Sequence, residues 1–297
     1  MLSRWLLGCV ACVVAAFALE PLEIQPAIHI LGFADVRRNS TGVLRIDAQY
    51  LNYRTETASG QIPIASLKEF TIERETKGLV HGNAGKLVLL APFGSGRALS
   101  MIRSGVDTVT LQYSDPSGGL HGCILMLPKN AGESVARQLK DKGVPEGAAP
   151  ETEGAAPKRP AVVKKHILVA PAVQVAEVTG GLPAEFSIAI YEQLIEGLWK
   201  SGQFLHVYRA GDRDAETKPD RLVVKLTVEG FKKGNERARN LAPFAGATVI
   251  DARLQVSDLQ STVFVDKVVS GAVRSYGENL DAADSLVRKV VKTIRPK

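Results

Sequence analysis

Between residues 143 and 165 the chain carries proline, glycine, alanine, glutamate and lysine with almost no large apolar side chains, and the pentapeptide Glu-Gly-Ala-Ala-Pro stands at 146–150 and again at 153–157. Side chains of this kind bury too little surface to offset the ordering entropy of the backbone, which predicts a flexible linker over 143–165. The sequence on either side must therefore build its own core. At 297 residues the chain exceeds the usual single-domain size, in keeping with two domains.

Ahead of the first domain, Arg4 precedes an apolar run from Trp5 to Phe17, and Ala16 and Ala18 are small. This is the pattern of a secretory signal cut after Ala18, since the run is too short to cross about 30 Å of hydrocarbon comfortably. Residues 1–18 are read as a signal peptide and the protein as exported to the periplasm or cell envelope. Leu6-Leu7-Gly8-Cys9 has the outline of a lipid-attachment motif, but a cut before Cys9 leaves too few apolar residues ahead of it, where about seven are needed. Lipidation at Cys9 and retention as an anchor stay open as alternatives. With Cys9 and Cys12 in the signal, only Cys123 remains, which leaves no intrachain disulfide.

Residues 19–142 read as short strands separated by Gly, Asn, Asp and Ser clusters. Val43–Ile46, Tyr50–Tyr53, Phe70–Glu73, Leu87–Leu90, Val109–Tyr113 and Cys123–Leu127 are β-branched, aromatic or alternating. One helix follows, with Asn130 and Glu133 spaced as a capping box and Val135 and Leu139 on one face. The expectation is an all-β small barrel or sandwich capped by that helix. Thr41-Gly42-Val43-Leu44, Leu51-Asn52-Tyr53, Ile62-Pro63-Ile64 with Leu67 and Phe70, Asp107 to Asp115 and the closing amphipathic helix together resemble a bacterial pleckstrin-homology-like domain over about residues 30–142. The resemblance implies a binding or scaffolding module and names no ligand. A lipocalin-like or generic barrel is the other reading.

In residues 166–297 the order changes. His166–Ala170 reads as a strand, and Pro183 to Lys200 as a helix with Phe186, Ile190, Leu194 and Leu198 at i, i+4 spacing. Strands follow at Phe204–Tyr208, Arg221–Phe231, Ala247–Ser257 and Thr262–Arg274. A last helix, behind an Asn279 cap, carries a stripe from Leu280 to Ile294. The β-α-β-β-β-β-α order predicts an α+β domain, one sheet with two helices on one face. Leu198 to Phe204, Phe231-Lys232-Lys233-Gly234-Asn235 with Arg237, Gly246-Ala247, Asp266 and Gly271 resemble an uncharacterised family of bacterial envelope domains, often lipoproteins, related in layout to the amino-terminal domain of the Tol translocation protein and to the curli-secretion lipoprotein. That resemblance implies an envelope location and a noncatalytic role.

The net charge of +6, from 37 Lys and Arg against 31 Asp and Glu, is mild for this length and argues against nucleic acid as a partner. Five scattered histidines offer no metal-ligand spacing beyond the weak His121/Cys123 pair, and no nucleophile elbow or complete phosphate loop is present; Gly94-Ser95-Gly96 and His81 to Lys86 read as turns. No catalytic, cofactor or metal residues are therefore assigned, and no enzyme activity is expected. The densest basic stretch gives a candidate anionic-partner loop of Lys232, Lys233, Arg237 and Arg239, with Gly234-Asn235 suited to positive φ; a solvated loop is the plainer reading. Trp199 closes the helix stripe as core packing or as an exposed anchor. The functional expectation is an exported envelope binding or scaffold protein whose partner is an envelope protein or an anionic lipid or glycan. The alternative is association with an anionic membrane surface, and an enzyme with an unfamiliar site is the least favoured reading.

Overall fold

The computed structural model describes residues 21–75, 105–147, 163–164, 172–235, 246–274 and 278–294. The signal segment, the expected strands at Leu87–Leu90 and His166–Ala170, and most of the linker lie outside the described residues.

The N-terminal half is one seven-stranded sheet. β1 (Leu22–Leu31), β2 (Ser40–Ile46), β3 (Tyr50–Arg54), β4 (Ser59–Pro63), β5 (Leu67–Glu75), β6 (Val106–Ser114) and β7 (Leu120–Pro128) are arranged β4-β3-β2-β1-β7-β6-β5. The expected closure into a small barrel is not made: the sheet ends in β4 and β5. The free edge of β5 is already taken, because Phe70 donates its N–H to Pro145 O (3.1 Å) and Gly147 N–H donates to Phe70 O (2.8 Å). The stretch 144–147, expected as the start of the linker, is thus built into this half, with Val144 in its core.

Helix α1 (Ala131–Asp141) covers this sheet with Val135 and Leu139, both fully buried. The expected Asn130/Glu133 capping box is absent. Asn130 sits in the left-handed region at φ 67° and its side chain caps nothing; Asp107 of β6 accepts the Gly132 N–H at 3.0 Å instead, while Glu133 lies 3.8 Å from Arg74. A carboxylate from another strand does the capping, at the end of the helix where negative charge is favoured.

His29 is buried in this half with both ring nitrogens in hydrogen bonds. It is 1 % exposed. Its Nε2 accepts the Phe33 N–H (3.1 Å), which leaves the ring proton on Nδ1 to donate to Arg37 O (3.2 Å). Phe33 and Tyr53 flank the ring at 5.3 and 5.7 Å. Burial holds its pKa below 6.5 despite the backbone hydrogen bonds that favour the charged form, and Arg38 pushes the same way as burial. The unfolded chain therefore binds a proton that the folded chain refuses, so stability is lost as pH falls from 6.5 towards the depressed value. The urea midpoint should fall between about pH 7 and about pH 5.5 and flatten in His29→Gln; an unchanged wild-type midpoint over that range refutes this.

The C-terminal half is a six-stranded sheet ordered β10-β9-β11-β12-β13-β8, from β8 (Val163–Lys164), β9 (Ala172–Val175), β10 (His206–Tyr208), β11 (Leu222–Lys232), β12 (Thr248–Ser257) and β13 (Val263–Val273). The strand β9 runs parallel to both neighbours, and β11 to β13 form an antiparallel meander. Two long helices, α2 (Ala184–Lys200) and α4 (Asp281–Ile294), share one core cluster with alternate residues of these strands, and a single turn α3 (Arg213–Glu216) joins β10 to β11. From α2 onward this is the expected order with the short α3 added, while β9 at 172–175 is the strand ahead of α2 and β8 is an extra edge strand. The other sheet face is polar, with Arg253 gripping Asp266 through two bonds of 2.7 and 2.6 Å.

The α2 helix explains how the halves meet. Ile188, Ala189 and Tyr191 are buried as well as the expected Phe186, Ile190, Leu194 and Leu198, a wider apolar surface than one sheet needs. The extra face packs on the N-terminal sheet: Leu31 of β1 and Ile124 of β7 belong to the same cluster as α2. A strand covered on both sides reads as a continuous apolar run, which is why Cys123 to Leu127 lacks alternation.

Candidate functional site at the junction of the halves

Apart from Arg253 and Asp266 on the polar face of the C-terminal sheet, the densest group of ionisable residues among those described lies where the halves meet. The turn from β6 to β7 is built on Asp115: its Oδ1 accepts the Gly119 N–H at 2.8 Å and its Oδ2 lies 3.0 Å from His121 Nε2. The His121 ring stacks on Tyr113 at 5.1 Å. Burial works against the Asp115 charge, but the His121 and Gly119 hydrogen bonds overcome it and hold this carboxyl below its ordinary value.

The tip of this turn docks on the loop after β10. Gly118 (φ +92°) and Gly211 (φ +76°) meet so closely that a Cβ on either would lie 2.8 Å from the other's carbonyl oxygen. Leu120 N–H donates to Ala210 O (2.9 Å), Arg213 N–H to Ser117 O (3.1 Å), and the Arg213 guanidinium to Pro116 O (2.6 Å).

Deeper in, Arg209 holds Glu192 of α2 through two bonds of 2.7 and 2.9 Å. Each ion also binds the opposite half: Gly122 N–H donates to Glu192 Oε1 (2.8 Å), and Arg209 Nη1 donates to Leu120 O (2.8 Å). The Arg209 and Glu192 side chains are 18 % and 12 % exposed. A forked pair whose remaining hydrogen bonds are met can tolerate such burial. At the rim Arg38 pairs with Glu196, which also takes Lys200.

No protein-family model and no curated protein matches the chain. Among solved structures, a PelC dodecamer from Paraburkholderia phytofirmans is 15 % identical over 46 % of this chain and 96 % of its own, with a TM-score of 0.37. A point variant of that dodecamer is 15 % identical over 47 % of this chain and 98 % of its own, with a TM-score of 0.36.

Beside the first turn of α2, Glu69, Phe70, Thr71, Thr110, Gln112, Ala184 and Ile188 line a narrow crease with no interior room for a ligand. Of the candidate anionic-partner loop, Lys232 is exposed at the end of β11 and Arg237 and Arg239 lie outside the described residues. Lys233 turns to the junction, 3.6 Å from Glu73 Oε2 and 3.8 Å from Glu185 Oε1. Gly234 does not take positive φ; it is needed because a Cβ there would lie 2.0 Å from Gly246 O. Trp199 is not core packing: it is 65 % exposed, on the last turn of α2, near the 75 % exposed Leu205. Cys123 is buried, and burial raises its thiol pKa, which makes it a packing residue.

Sequence reasoning passed over Glu192 and Arg209 because they are far apart in the chain and belong to no motif. The available signal was a carboxylate set between two core positions of α2, Tyr191 and Leu194, where a charge persists only if something pairs with it.

Proposed function

We propose that this chain is an exported envelope protein that acts by binding or scaffolding, with its two halves locked into one composite body. The observation that carries this reading is the junction itself, where a shared apolar cluster and a doubly bonded Glu192–Arg209 pair commit the convergent charges to holding the halves together. A firm two-part body that presents exposed Trp199 and Leu205 at one end of α2 is suited to holding a partner. In keeping with a pleckstrin-homology-like reading of the N-terminal half, its strands form two meanders, β1–β4 and β5–β7, joined through β1 and β7 and covered by a closing helix.

The test is fractionation of cells making a C-terminally tagged chain, followed by cross-linking from a photoreactive residue at position 199. The expected result is a product that begins at Leu19 in the envelope or periplasmic fraction and forms one discrete adduct. A full-length product confined to the cytosol, or no adduct, contradicts the reading.

A further inference from the structure

One contact at the junction pairs like charges. Glu73 of β5 and Glu185, in the first turn of α2, come from opposite halves and flank the same Lys233 ammonium, which lies within 3.6 and 3.8 Å of one oxygen of each, close enough for Glu73 to act on the Glu185 carboxyl. Glu185 is 6 % exposed. Its Oε2 is buried and accepts no hydrogen bond from the described residues. A buried carboxylate oxygen left in that state is costly, whereas the same oxygen bearing a proton becomes a donor, and the Glu73 carboxylate beside it is the acceptor.

We propose that Glu73 and Glu185 share one proton across the junction, so that closing of the two halves takes up a proton and rising pH loosens them. The step is a simple protonation: Glu185 gains a proton from solvent as its carboxyl enters the contact and returns it when the halves part. Among the described residues one ammonium faces two carboxylates, the Glu185 group buried and the Glu73 group part-buried, so a deprotonated Glu185 is an incompletely balanced charge held away from water.

The surroundings support this. Burial raises the proton affinity of Glu185, the neighbouring Glu73 carboxylate raises it further, and a backbone hydrogen bond and Lys233 only partly oppose them. From β5, Glu69 stands two register positions before Thr71 and four before Glu73, and lines the crease beside Ala184. From β6, the neutral Thr108 stands opposite Glu73. The sign follows directly: the docked state binds the proton more tightly than the parted state, so docking is favoured at low pH and penalised as pH rises above the ordinary carboxylate range.

The experiment is amide hydrogen exchange on the full mature chain between about pH 6 and about pH 9, with the intrinsic rate at each pH divided out. The reporters are Leu120 and Gly122, whose N–H groups are bonded across the junction to Ala210 O and Glu192. Their opening equilibrium is expected to rise with pH by up to tenfold per unit, the limit for one proton. The Val109 and Leu111 amides, inside the N-terminal sheet, should stay flat. In Glu185→Gln the amide still donates to Glu73, so the slope should vanish, and it should vanish in Glu73→Gln as well. The second variant decides the matter if the first does not fold. A flat wild-type profile, or Gln variants that rise as steeply as wild type, would overturn the proposal.

Discussion

Replacing Glu192 by alanine should cost about 3–5 kcal/mol, because it leaves the largely buried Arg209 guanidinium unpaired and strips Gly122 N–H of its acceptor in one step. The effect should appear as a change of shape in urea unfolding as well as a lower midpoint. The wild-type halves share a cluster and are expected to unfold together; without the pair they should separate first and give two transitions. Tyr191 will not substitute for the lost anion, since its hydroxyl already accepts the Ala210 N–H at 2.8 Å and its ring lies 5.9 Å from Arg209 Cζ. Removing both charges, as Glu192→Leu with Arg209→Met, should recover a good part of the loss, because the cost lies in stranding one ion. A single unshifted transition in the alanine variant would show that the pair is dispensable.

The second large effect is expected at Phe186, which is 1 % exposed and packs edge-on against Phe231 at 4.8 Å and 59°. Its truncation to alanine should cost about 3–5 kcal/mol through lost apolar burial and the cavity left behind. Unlike the Glu192 variant, this one weakens the shared cluster and leaves the ion pair in place, so the midpoint should fall while the halves still unfold in one transition. Urea unfolding of the two variants separates these outcomes; two transitions for Phe186→Ala would contradict the assignment.

Much of this architecture was legible in the chain. The strands β2, β3, β6 and β11 to β13 fall where alternation and β-branching put them, because a sheet with one polar face imposes that period. The stripe on α4 fell in place too, and Gly271, singled out only by resemblance, has a plain reason: a Cβ there would lie 2.4 Å from Ala282 O, so the helix could not settle on β13. What the sequence hid were the contacts between segments far apart in it. Asp107 caps α1 from another strand, residues 145–147 close the edge of β5, and the surplus apolar face of α2 announced a second covering layer without saying which. The candidate basic loop was read as one unit, yet Lys233 turns to Glu73 and Glu185 because β11 delivers it to the junction, an outcome decided by register and invisible in charge density.

At the tip of the β6–β7 turn, the two halves touch through glycines, peptide carbonyls and amides. Recognition written in main-chain atoms is indifferent to most side-chain drift. Relatives could exchange their surface residues there without compensating partners, so paired substitutions across this contact would leave a faint trace at most, and its ancestry would have to be followed by shape.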